Sequence, residues 1–140
     1  LHSLLRIAKL VNTALPAEEA AALWSRIGAA SCLATLHDFQ RHWIALFAAV
    51  GARDARAMAT LAATLLDGAH NLGADAREYL LMAGMSGAIA AGRPDQALGL
   101  WQAQAPHFRS AIAQPVFRLL RCHAQRGAQC VAAFRAYAED

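Results

Sequence analysis

Four short breaks divide this chain into lengths suited to helices. They fall near Ala14, Gly51, Gly92 and Gly127, and successive breaks stand 37, 41 and 35 residues apart. The sharpest lies in AIAAGRPDQALGLW, residues 88 to 101, where one helix stops and another starts within four residues. Gly92 supplies the left-handed backbone that closes a helix. Pro94 opens the next one, at a position where its missing N–H costs nothing. A turn recurring at such intervals is what stacked helical hairpins produce, since each hairpin needs two helices and two connections.

The residues between the breaks favour helix. Hydrophobic residues make up 57% of the chain, yet aromatics are only 7% and alanine supplies much of the rest. Alanine has the best helix propensity, and the alternating β-branched runs that mark strands are absent. The expectation is an all-α fold of about seven to eight antiparallel helices stacked as hairpins. It forms one domain over residues 1–140, long enough to bury its own core.

Leu4, Leu5, Ala8, Val11 and Leu15 recur at helical spacing and predict a first helix over roughly residues 3 to 13, loosened by Asn12 and Thr13. Pro16 opens the second, with Glu18 and Glu19 in its first turn and Gly28 as its stop. A third fills much of Ser31 to Val50 and ends at Gly51. Asp54 caps a fourth that runs to Gly68, and residues 68–74 read as a loop. Asp75 and Glu78 give the fifth helix a capping-box-like start. Pro106 breaks the sixth. Pro115 opens a seventh, Gly127 closes it, and an eighth follows from about Ala128 to Ala138.

The best-formed unit is EYLLMAGMSGAIAAGRPDQALGLWQA, with Gly84 inside its first helix, Gly92 at its turn, Ala97 early in its second helix and Trp101 four residues on. Ala83, Gly87 and Ala91 are four apart, so one helix face carries little bulk and a neighbour can approach closely. LPAEEAAALW, residues 15 to 24, runs similarly from proline into tryptophan, and the two tryptophans stand 77 residues apart.

Residues 78–104 resemble one tetratricopeptide-type helical repeat and are similar to the related pentatricopeptide type. The resemblance implies a short α-solenoid in which the first helix of each pair lines a concave groove for partners. It carries Asp38, Arg41 and Ala45 into that groove from the third helix. Tyr79, Met82, Ser86 and Ile89 come from the fifth, and Gln114, Phe117 and Arg121 from the seventh. In that picture Tyr79, Met82 and Phe117 are apolar anchors, and Arg41 and Arg121 donate charge-assisted hydrogen bonds. By apolar character alone, Met82, Ile89 and Phe117 serve equally well as core.

Net charge is +3, from twelve arginines and one lysine against ten acids, well short of a dedicated nucleic-acid binder. Its distribution says more. No acid lies between Asp95 and Glu139, where Arg109, Arg118, Arg121, Arg126 and Arg135 all fall. Arg118, Arg121 and Gln125 share one face of the seventh helix beside Phe117, Leu120 and Ala124. Such a face is either solvated or a surface for an acidic peptide or protein, with nucleic acid the lesser reading.

Catalytic and metal motifs are weak throughout. Asp38 and His42 stand four apart and can meet, as any surface pair does. His37 and His42 point in different directions. Cys122, His123 and Cys130 lack a fourth ligand and a CxxC, and small buried thiols explain them better. GMSG, residues 84 to 87, lies inside a helix rather than after a strand, and no phosphate loop surrounds Gly92. No cofactor is implied.

Three cysteines, Cys32, Cys122 and Cys130, in a chain able to build a core suit reduced thiols and a cytoplasmic setting. No apolar run reaches the ~18 residues that span a bilayer. Arg6 and Lys9 rule out a signal-peptide core in the first segment, and a start at Leu1 without methionine is compatible with a module of a longer chain. The apolar composition leaves room for an exposed face and hence a homodimer.

The expected function is a non-enzymatic protein–protein interaction module that binds a peptide or helix of a partner, as adaptor, chaperone or scaffold. The alternatives are a nucleic-acid-binding or regulatory helical-repeat domain using the arginine-rich third, and an enzyme with a helical active site around His42 or His123.

Overall fold

The structure, a computed structural model, describes residues 2–30, 38–68, 72–108 and 115–127. Seven α-helices account for nearly all of them: α1 (His2–Ala14), α2 (Ala17–Gly28), α3 (Asp38–Ala52), α4 (Ala55–Asp67), α5 (Ala74–Ala90), α6 (Pro94–Gln104) and α7 (Pro115–Arg126). A 3-10 turn, Ala105–His107, follows α6, and no strand occurs among the described residues. The fold is all-α. An eighth helix over residues 128–138 lies outside the described residues.

Proline and acid punctuation sets the helix starts. Pro16 sits at the N-cap of α2 in extended backbone, and Glu18 and Glu19 occupy the first turn, where the helix dipole favours them. Pro94 holds the first turn of α6. Asp54 caps α4 by accepting from the Ala57 N–H at 3.2 Å. The fifth helix differs from the expected capping box. It begins at Ala74 with Gly73 at its cap and no side-chain cap, so Asp75 lies inside the first turn, where the helix dipole favours its charge.

Two corners are built alike. At the end of α5, Gly92 takes φ +75°, its N–H donates to Ile89 O, and the Arg93 N–H reaches back to Ala88 O at 2.8 Å. At the end of α3 the same pair of bonds runs from Arg53 to Val50 and from Asp54 to Ala49, at 3.2 and 2.9 Å. Both are left-handed helix closures of the Schellman type. In the second the left-handed residue is Arg53, at φ 56°.

Gly51 was expected to be that stop, and it is not. It lies buried inside α3, where an added Cβ would fall 2.6 Å from Asn12 Oδ1 and 3.0 Å from Trp24. The glycine is a spacer between helices. Gly127 does close α7 with φ +59°.

Two apolar clusters form the core. The first gathers α1 to α5 around Trp24, Trp43, Phe47 and Tyr79, and the second joins α4 to α7 around Met85, Trp101 and Phe117. The interface of α4 with α5 is the most extensive, and Gly87 lets the α5 backbone come close against the backbone of α4 at Ala55 and Ala59. Gly84 lies against Ala62 and Leu100 in the same way.

The first helix is placed unexpectedly. It contacts α3 more than its sequence neighbour α2 and reaches across to α5. Asn12, rather than loosening α1, pins it: Nδ2 donates to Phe47 O at 3.0 Å, and Oδ1 accepts from Trp24 Nε1 at 2.8 Å. One side chain thereby ties three helices.

Candidate partner-binding surface

The fifth helix lies at the junction of the two clusters, and nine of its 17 residues are buried. Between Glu78 and Ile89 only Glu78, Met82, Ser86 and Ile89 are half-buried; every other residue there is buried. Spacings of four, four and three put these residues on one stripe of the helix. The stripe runs along a seam. Tyr79 and Ala83 on one side face the first cluster, Leu81 and Met85 on the other face the second, and Met82 packs against both.

The two borders come from different helices. On one side Lys9 of α1 holds its ammonium 5.7 Å above the Tyr79 ring, a cation–π arrangement. On the other, α7 packs against α5 and α6. Phe117 packs tilted against Trp101 with ring centroids 5.7 Å apart, and the Arg121 guanidinium lies 4.9 Å over the same indole. The Arg121 Nε atom is buried and makes no hydrogen bond. Arg118 is half-buried on the same helix.

The expected groove residues therefore divide. Met82, Ser86 and Ile89 share the open stripe of α5. Tyr79 and Phe117 do not serve as exposed anchors, since they retain 4% and 1% of their accessible surface. Tyr79 is covered because α1 crosses it, and its ring meets Phe47 at 5.7 Å and Trp43 at 6.4 Å. Burial pushes its phenol pKa up to about 12, a rise that the nearby Asn12 amide opposes. The hydroxyl finds no hydrogen bond of normal geometry, and neither does Trp43 Nε1.

Arg41 is not brought to the stripe either. At about 100° per residue it points roughly 160° away from Trp43, the ring that α3 turns toward Tyr79. Asp38 and Ala45 share that outer side, and all three are exposed. Gln114 lies outside the described residues.

Sequence reasoning missed the role of α1 as a border. Its signal was present in LLRIAKL, where apolar residues occupy more than one helix face, and in a lone Asn12 among them. For other chemistry, no group of three His, Cys, Asp or Glu side chains that could hold a metal occurs among the described residues. Cys122 is half-buried and His123 exposed, while Cys130 lies outside the described residues. None of the helices, over the described residues, is long and apolar enough to cross a membrane.

No protein-family model matches the chain, and comparison with curated proteins and with solved structures finds no match either.

Proposed function

We propose that this chain is a non-enzymatic protein-interaction module, tetratricopeptide-like in build. It seats a helix or extended segment of a partner protein along the open stripe of α5. The observation that carries this reading is the stripe itself. A helix enclosed on most of its circumference leaves Met82, Ser86 and Ile89 half-open in one line, between a lysine-bearing helix and an arginine-bearing one. Met82 and Ile89 with Lys9 and Arg121 at the borders suit a partner segment whose apolar residues are flanked by carboxylates, held away from the Glu78 end of the stripe.

The repeat part of the reading rests on the paired corners. Arg53–Asp54 and Gly92–Arg93 close their helices with the same two hydrogen bonds, at positions 39 residues apart. Such a module works as an adaptor, chaperone or scaffold, and the cysteine usage suits the cytoplasm. Nucleic-acid binding is the weaker reading, because a net charge of +3 falls well short of the field that a dedicated nucleic-acid binder presents.

The test uses the intact chain as bait in the native host. Ser86→Arg fills the stripe without touching the core, whereas Thr60→Arg, on the exposed face of α4, serves as the control. The reading predicts that the partners recovered by the unaltered chain vanish with Ser86→Arg and persist with Thr60→Arg. Identical partner sets for both variants refute it.

A further inference from the structure

The first helix is apolar on two sides. Its inner side buries Leu5 and Ala8 and is fixed by Asn12. Its outer side carries Leu4, Ile7 and Leu10 with 37%, 56% and 66% of their surface exposed. Among the described residues these three make up most of the large exposed hydrophobic side chains; the others, Phe39 and Val116, lie on α3 and α7. Solvent-facing helix surfaces are ordinarily polar, so three large aliphatic side chains in one line mark a contact surface.

Charge selects the occupant. The only charged side chains of α1 are Arg6 and Lys9, and the helix holds no acid. Arg6 precedes Leu10 by four residues, so a cation edges the apolar line. A second copy of the chain would set α1 against α1 and bring like charges together. A lipid surface is poorly matched, because membrane-bound helices carry several basic residues and interfacial aromatics, and α1 has two cations and no Phe, Tyr or Trp.

We infer that the outer face of α1 is a second docking surface, for an amphipathic helix of a partner protein whose leucine-type stripe is flanked by Glu or Asp. The partner helix packs its apolar residues between Leu4, Ile7 and Leu10, and its carboxylates meet Arg6. This surface is separate from the stripe on α5, and α1 carries both: the inner side borders one site and the outer side forms the other.

The test probe is a helical peptide about three heptads long, with leucine at the core positions and glutamate at the flanking ones. A second peptide replaces every flanking glutamate by lysine. Fluorescence anisotropy against the full chain is expected to show binding of the glutamate peptide, weakening with salt, and at least roughly tenfold poorer binding of the lysine peptide. Leu10→Asp abolishes binding, and Arg6→Glu reverses the preference between the peptides. Both residues are exposed, and an unchanged melting temperature verifies that the variants fold.

Equal affinity for the two peptides, or binding that survives Leu10→Asp, overturns the inference. So does a dimer in sedimentation that Leu10→Asp converts to monomer, or partition onto phosphatidylserine vesicles that Leu10→Asp abolishes. Capture of partners through Ser86 is read separately in the same variants. Loss of the α1 site with Ser86-dependent capture intact fails this inference alone, and the reverse outcome fails the α5 reading alone.

Discussion

Gly87→Ala isolates the close contact between α4 and α5. A Cβ at this position would lie 2.6 Å from the carbonyl oxygen of Ala55, 2.8 Å from the amide nitrogen of Ala59 and 2.8 Å from Met58 Cβ. Two of those neighbours are backbone, and Ala55 is fixed at the start of α4 by the Asp54 cap. Relief therefore requires α4 to move away from α5. Overpacking of this kind costs about 1–3 kcal/mol. Alanine also gains roughly 1 kcal/mol over glycine in a helix interior, which masks part of the loss.

Gly99→Ala removes that ambiguity, because Gly99 lies in α6 with nothing within 4 Å of its added Cβ. It collects the propensity gain alone. The difference between the two variants thus reports the overpacking cost, about 1–3 kcal/mol in favour of Gly99→Ala. In thermal unfolding of a chain this size the midpoints separate by roughly 3–10 °C. Two variants that rise together would show that α4 and α5 do not meet through Gly87.

Other substitutions probe other parts of the account. Asn12→Ala leaves Trp24 Nε1 without its acceptor and is expected to cost about 2 kcal/mol in urea unfolding; a loss below about 0.5 kcal/mol would dismiss its role as the tie among α1, α2 and α3. Arg53→Gly relieves a side chain held at φ 56° and should raise stability by about 0.5–1 kcal/mol in the same assay, whereas destabilisation would contradict the left-handed closure. Tyr79→Phe discards a buried hydroxyl with no hydrogen bond, so stability at pH 7 is unchanged or slightly higher; a clear loss would mean that the hydroxyl is partnered. The Tyr79 phenol titrates at about 12 in the fold and near 10 when unfolded, so the unfolded chain loses its proton first. Its contribution to stability is intact below pH 10 and disappears as pH rises from 10 to 12, a decline that Tyr79→Phe removes.

What the sequence made legible was local. Pro16, Pro94 and Pro115 open helices, Asp54 caps one, and Gly92 and Gly127 take positive φ, because each of these preferences acts within a turn of its own residue. Gly51 was misread for the same reason. Its function depends on Asn12 and Trp24, residues far away in the chain, and a glycine that makes room looks identical in sequence to one that bends backbone. Likewise, the tetratricopeptide resemblance pointed to Tyr79, Met82, Ser86 and Ile89 together, and the last three share a half-buried stripe of α5. It did not reveal that α1 crosses α5 at Tyr79, which turns an expected anchor into core. Arg53 carried no sign at all of its left-handed role, since arginine is not a residue that seeks positive φ.

The central claim, that the open stripe of α5 seats a partner, is tested most directly by a photo-crosslinking residue placed at Ser86 in the full chain and irradiated in the native host. The account predicts adducts with one partner segment rich in apolar and acidic residues, and none from the same label at Thr60. Adducts at Thr60 but not at Ser86 would contradict it.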